Sequence, residues 1–354
     1  MSKILIKNGK IWDGEKFYFS DILIENETIS KIADNIEETA EFEYDARGKI
    51  VSAGLVDAHV HMRGLNEVYG IHAEMSCIPF GVTAAADACG VLGDKALLDS
   101  FLLKNVVFVP VQFENNKAFF DMAENGIKRY GERAIGVKVC FDEEISEVTD
   151  ISPLFEVIDF AEKHGLILMV HSSNSPVPMK ELFSVLRKGD IVTHAYHGGK
   201  NNISDDGFAC IEDAKRRGII IDVGYAGFVH TDFKVLGDAI KSGAYPDTIS
   251  TDITWCSAYK RGGRYGMTMC MSIASHLGMN EEDIFRAVTS TPAKALGKES
   301  EWGYLQVGRR ADIAVLDYTN EGFDLTDKAG NRVVSETGYR CVLTLADGEV
   351  VYRL

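Results

Sequence analysis

Hydrophobic and polar positions alternate at both ends of the chain and change rhythm in the middle. Residues 2–6 (SKILI), 20–25 (SDILIE) and 28–32 (TISKI) alternate as short strands do, with Asn8-Gly9 and Asp13-Gly14 as turn material between them. The far end reads alike. ADIAVLD, CVLTLADG and EVVYRL are strand runs, interrupted at Asp347-Gly348. Two all-β ends around a different middle predict one β domain built from both termini.

Between about residues 55 and 298, apolar runs of strand length take turns with stretches of helical spacing. The runs are Leu55–His61, Val82–Asp87, Val106–Gln112, Ala134–Cys140, Leu166–His171, Asp190–His194, Gly218–Val223 and Asp247–Asp252. ISPLFEVIDFAEKHG and DFKVLGDAIKSG are examples of the helical stretches. Eight buried strands with interleaved helices predict an α/β fold, a (β/α)8 TIM barrel, over an open doubly wound sheet. No low-complexity segment or short internal repeat interrupts the pattern.

In a barrel the chemistry sits at the carboxyl ends of the strands. The first run ends in His59 and His61, which point to one side of the strand because side chains alternate. The fourth carries Lys138 inside an apolar run. The fifth, sixth and eighth end in His171, His194 and Asp252. Taken singly, each has an ordinary explanation. A lone histidine is commonly a hydrogen-bonded or surface residue, HxH recurs by chance, and Asp252 suits a helix N-cap. Only a dinuclear metal site explains all six together.

Lys138 is the most informative of them. A charged lysine between Val137 and Val139 in a core strand costs several kcal/mol if unpaired. It can reach water at the rim or pair with an acid; alternatively it deprotonates and takes up carbon dioxide. The resulting carbamate is an anion whose two oxygens can bridge two cations. Imidazole and carboxylate donors suit zinc, and two metals about 3.5–4 Å apart can share one hydroxide near neutral pH. On this reading His59, His61 and Asp252 hold the more buried metal and His171 and His194 the other, with carboxylated Lys138 bridging. Asp252 is then also the catalytic proton carrier, moving a proton from the attacking hydroxide to the leaving group.

Composition narrows the partners. The chain has 354 residues, enough for a large barrel and a smaller partner unit, with ordinary apolar (46%) and charged (25%) fractions. A formal charge of −16 argues against nucleic acid, since phosphate binding needs a basic face. No apolar run reaches the roughly 18–20 residues of a membrane span, and MSKILIKNGKIWDG lacks a signal's apolar region. The 7 scattered cysteines, with no CxxC pair, read as reduced thiols of a cytoplasmic protein.

The same residues carry a resemblance. In order stand LIKNGKIWDG, VSAGLVDAHVHMRG, GVK, MVH, VTH, STDITW, TSTPAKALG and GYLQVGRRADIAVLD, a set that resembles the amidohydrolase superfamily over nearly the whole chain. The resemblance implies a catalytic (β/α)8 barrel, residues 55–298, and a small β-sandwich from residues 1–54 and 299–354. IGVK, MVHSSNSPVP, GDIVTHAYHGGKNNI and ISTDI are similar to dihydroorotase-related amidohydrolase/deacetylase metallohydrolases. Some of that group hydrolyse acetyl esters or amides of small carboxylic acids, and members are often oligomers, so self-association is implied here.

Arg63 completes HxHxR, which in dihydroorotases grips the substrate carboxylate; a rim pairing with Glu67 is the other reading. The MPNT-like stretch of those enzymes is replaced by TAAADACG. Asn174 and His197 are candidate substrate contacts, Ser172 and Ser173 either line the pocket or cap the next helix, and Tyr196, His230 and Trp255 are positioned to shape it. The KRGGRYG loop at 260–266 is a candidate lid or anion contact. The expected function is metal-dependent removal of an acyl group, acetyl foremost, from a small carboxylate-bearing amide or ester. Ring opening of a cyclic amide is the alternative, and a non-catalytic scaffold is disfavoured by the intact ligand set.

Overall fold

The structure, a computed structural model, describes residues 3–62, 70–88, 95–260 and 265–354. Seven parallel strands form one curled sheet in sequential order: β1 (Leu55–Val60), β2 (Val82–Ala88), β3 (Lys104–Pro110), β4 (Ala134–Cys140), β5 (Ile167–His171), β6 (Ile191–Thr193) and β7 (Ile220–Ile221). Helices between them cover the outer face. In the helix Ser152–His164, Leu154, Val157, Ile158 and Ala161 form the buried stripe, Pro153 sits in the first turn, and Gly165 ends the helix at a φ of 66°. The helix Phe233–Ser242 starts at Asp232, whose carboxylate accepts the Lys234 and Val235 N–H groups.

The strand expected at Asp247–Asp252 is not a strand. That segment runs extended between the two edges of the sheet and forms one isolated β-bridge with each, Asp222 with Thr248 and Val60 with Ile253, beside separate backbone hydrogen bonds such as Val223 N–H to Thr248 and Asp252 N–H to His59. The cause is local. The backbone N–H groups of Thr251 and Ile253 bond to Asp57 and to the Thr251 hydroxyl, and Asp252 has a φ of 44°, all incompatible with a regular ladder. The seventh strand is likewise cut from the expected six residues to Ile220–Ile221, and Gln112 opens a small hairpin rather than closing β3. Among the described residues, then, the ladder has seven strands and not eight.

Both termini supply a second, eight-stranded sheet. Lys3–Trp12, Phe17–Glu25 and Thr28–Ala33 form a meander, and Ile50–Ala53 joins it to Ile313–Thr319, Gly338–Ala346 and Glu349–Arg353. Asn8-Gly9 is not a turn; it is a bulge inside the first of these strands, where the register against Phe17–Glu25 shifts. Phe42–Asp45 pairs in parallel with that same strand. Six cysteines are free thiols among the described residues, and no helix there is long and apolar enough to cross a membrane.

Gly54 is the hinge between the two sheets. Its N–H bonds at 2.8 Å to the carbonyl of Asp312, the residue just before the terminal-sheet strand Ile313–Thr319, and the next residue, Leu55, begins β1. A Cβ on Gly54 would land on the buried Thr83 side chain. We expect Gly54→Ala to lower stability by about 1–3 kcal/mol through overpacking, read as a fall in the denaturant midpoint, with Thr83→Ala recovering most of it. An unchanged midpoint would remove this role.

Candidate metal centre

Five of the six ligands expected from the sequence are held at strand ends, and the sixth, Asp252, comes from the extended segment. His59 is in β1, Lys138 in β4 and His171 at the end of β5; His61 and His194 follow β1 and β6. Val137 and Val139 point outward into the apolar core, so alternation turns Lys138 inward. Its Nζ lies 3.2 Å from His59 Nε2. Asp252 Oδ1 is 2.8 Å from His61 Nε2 and 3.4 Å from His59 Nε2, and its Oδ2 is 3.8 Å from His194 Nε2. His171 and His194 stack edge-on with centroids 4.4 Å apart. The six residues therefore meet at one place, as the sequence pattern required.

Other side chains orient these donors. Thr193 Oγ1 donates to Asp222 at 2.7 Å, which leaves it to accept from His59 Nδ1 at 3.0 Å. His59 thereby carries its proton on Nδ1 and keeps a lone pair on Nε2. His194 Nδ1 donates to the Gly224 carbonyl at 2.7 Å with the same result. Gly224 has a φ of 59°, and a Cβ there would strike Thr193 and His194, so only glycine lets both approach. His171 Nε2 stands 3.4 Å from Asp142 Oδ2 without hydrogen-bond alignment. Asp57 ties β1 to the eighth segment by accepting from the Thr251 hydroxyl at 2.6 Å and the Thr251 N–H at 3.1 Å.

The electrostatics suit a cation. Burial, reinforced by the Lys138 charge, holds His59 well below its ordinary pKa; burial and then the neighbouring His230 do the same for His194. Burial also lowers His171. All three imidazoles are neutral donors near pH 7. Burial opposes ionisation of Asp252, but the close approach of His59 and the contact with His61 outweigh it and hold the carboxyl below its ordinary range. Among the described residues Asp252 Oδ1 has no aligned hydrogen-bond partner despite its burial. Lone pairs of neutral imidazoles and a carboxylate oxygen that meet without a proton to share are a donor set for a divalent ion. The residues fit the group. His194 and Asp252, at φ values of 62° and 44°, are backbone exceptions located at this site.

The remaining candidates divide. His197 is buried, accepts the Gly199 N–H at Nδ1 (3.1 Å), and so carries its proton on Nε2, which has no partner among the described residues. Asn174 is half-buried and turned toward Asp142 and Glu144, both at 3.4 Å, rather than toward the imidazoles. Tyr196 is fully buried with its hydroxyl donating to the Ala244 carbonyl, a core position instead of a pocket wall. Ser172 donates to the Thr193 carbonyl, while Ser173 faces His230. Arg63, and residues 261–264 of the basic loop, lie outside the described residues. Sequence reasoning missed Asp57, Thr193 and Asp222. Their signal is a carboxylate or hydroxyl inside an apolar strand, in LVDAHVH, IVTH and IIIDVG. A cavity of about 670 Å³ opens elsewhere, at the start of β3, but its cations are paired: Lys104 with Asp312 and Asp347, Arg133 with Asp99.

Comparison with known proteins points one way. Residues 271–352 match the amidohydrolase family. The chain is 26% identical to a deacetylase of Enterococcus faecalis over 369 aligned positions, 98% of each protein. Its similarity to a dihydroorotase of Lactobacillus acidophilus is 42% but spans 67 positions, 19% of this chain and 15% of that one. A solved dihydroorotase structure superposes with a TM-score of 0.87 at 23% identity, over 99% of this chain and 98% of that one, which establishes the shared fold.

Two measurements check the supporting shell. Thr193→Val should weaken metal binding about 10–100-fold, since it strands His59 Nδ1 and Asp222, and cost about 1–3 kcal/mol of stability; unchanged affinity would separate Thr193 from the site. Burial, then the nearby His171, lowers His197 to about 4. Its neutral form adds stability fully above the unfolded pKa near 6.5, and that stability is lost as pH falls toward 4. Metal-stripped protein should therefore lose about 3 kcal/mol through this one group over that window. His197→Gln should flatten the pH dependence of the thermal midpoint there; an unchanged slope would mean that His197 is already charged.

Proposed function

We propose that this chain is a member of the amidohydrolase superfamily, a reading supported by the match over residues 271–352 and by the deacetylase relative, and that it is a dinuclear metal-dependent hydrolase removing an acyl group, acetyl foremost, from a small carboxylate-bearing amide or ester. The observation that carries the reading is the convergence of His59, His61, Lys138, His171, His194 and Asp252 on one point. The acyl choice draws support from the relative matched end to end being a deacetylase, whereas similarity to the dihydroorotase is confined to a short stretch. We assign residues 55–298 as the catalytic (β/α)8 barrel, and residues 1–54 with 299–354 as its β-sandwich partner. We also assign the enzyme to the cytoplasm.

In this reading His59, His61 and Asp252 hold one divalent ion and His171 and His194 the second, zinc being the metal such donors favour. Bound there, the pair supplies Lewis acidity toward the substrate carbonyl and a lowered pKa for water. Lys138 would react as a neutral amine: its nitrogen would bond to the carbon of carbon dioxide and release a proton to solvent, and the resulting carbamate would add an anionic oxygen donor to the set. Asp252 accepts the proton of the attacking water and delivers it to the leaving nitrogen or oxygen. Asp252 is ionised and so free to accept a proton, and the growing basicity of the leaving group draws that proton onward. His197 Nε2–H donates to an acceptor on the substrate, while Arg63 is assigned to its acid portion.

Asp252→Asn should keep the fold and lose about 10²–10⁴-fold in turnover; near-normal turnover would end its proton-transfer role. The deciding assay is mass spectrometry of zinc-loaded enzyme with paired acyclic N- or O-acyl acids and cyclic amides. Two product fragments from an acyclic compound are expected. A single product one water heavier, from a ring compound, would replace deacylation by ring opening.

A further inference from the structure

Three imidazoles, not two, gather where the second ion is assigned. His171, His194 and His230 each bring a ring nitrogen to within 4.8 Å of the others'. The His230 ring lies 4.4 Å from that of His194 and 4.9 Å from that of His171, centroid to centroid. We propose that His230 is a third nitrogen ligand of the outer metal position, so that this chain can hold its second ion through three neutral imidazoles even when Lys138 carries no carbamate. The proposal rests on the metal reading above and refines its ligand set.

The support around His230 repeats the device seen at the other ligands. Its Nδ1 is 3.0 Å from the hydroxyl of Ser173, a buried residue two positions beyond His171. With that hydroxyl accepting the Nδ1 proton, Nε2 is left with a lone pair, as it is on His59 through Thr193 and on His194 through Gly224. His230 is half-buried, whereas His194 is fully buried, so it closes the cluster on the solvent side.

The chain also turns sharply to bring it there. Ala226, Gly227 and Phe228 have φ values of 49°, 61° and 72°, three left-handed residues in succession. Such a conformation at alanine and phenylalanine is unfavourable and persists only where the surroundings impose it. Phe228 is locked by ring contacts with Tyr225, Phe233 and Tyr265. The segment ends by placing His230 against His194. Sharing His194 between this trio and the His59–Asp252 group puts the two donor sets side by side.

The test is titration of metal-stripped full-length protein with cobalt(II), reading stoichiometry, affinity and the visible absorption of the bound ion. Wild type should bind two ions. His230→Gln, which preserves size and polarity, should bind the first ion normally and the second at least about 10-fold more weakly, with an altered visible spectrum. Ser173→Ala keeps the ring but removes its support, and should weaken only the second ion. Lys138→Ala should retain a measurable second ion that Lys138→Ala/His230→Gln loses. Unaltered affinities and spectra in His230→Gln would overturn the proposal and leave the dinuclear reading standing. Failure of wild type to bind more than one ion would overturn both.

Discussion

A buried carboxylate, Asp57, holds the first barrel strand to the segment carrying Asp252. It accepts the N–H and the hydroxyl of Thr251 and the N–H of His59, three bonds that fix the residues on either side of the site. The His59 carbonyl accepts the Asp252 N–H at 2.8 Å, and the Ile253 carbonyl accepts the His61 N–H. No regular ladder spans this seam, so its side-chain bonds replace one. If Asp57 were apolar, the buried Thr251 N–H would lose the acceptor it has here. Burial lifts the Asp57 carboxyl to about 7, which shows how far the interior resists the charge that these bonds satisfy.

A second carboxylate plays the matching part on the far side. Asp222 accepts hydroxyls from Thr193, Thr248 and Ser250, linking β6, the end of β7 and the eighth segment. Through Thr193 it sets the tautomer of His59. The donors are therefore oriented before any ion arrives, and the cost of burying so many polar groups is offset by their being bonded to one another. This arrangement explains why glycine stands at position 224, where a side chain would enter the space of Thr193 and His194.

The frame as a whole was readable because its signals are local. The apolar run Ala134–Cys140, the helical spacing over Ser152–His164 and the alternating β ends are properties of short windows, and the structure reproduces a strand, a helix and a sheet there. Asn8-Gly9 misled for the same reason. The pair is turn chemistry in isolation, but neighbours on both sides, Phe17–Glu25 and Ile50–Ala53, absorb it as a bulge. The eighth strand misled because its backbone donors are claimed by Asp57 and by its own threonine, an interaction spanning nearly two hundred residues for Asp57.

Residue identity and order alone determined which chemistry was available: HxH, a lysine in an apolar strand, two further strand-end histidines and an aspartate are residue types able to ligate a metal ion where a fold brings them together. A strand's two-residue period decides which face each side chain takes, so convergence could be inferred without coordinates. Tertiary structure decided which nitrogen of each imidazole is free, that Asp57, Thr193 and Asp222 serve the site, that Tyr196 belongs to the core, and that His230 joins His171 and His194. Those outcomes depend on contacts between residues far apart in the chain. Whether a hydroxyl or a carbonyl stands 3 Å from a ring nitrogen is settled only when separate strands pack, and no local pattern encodes it.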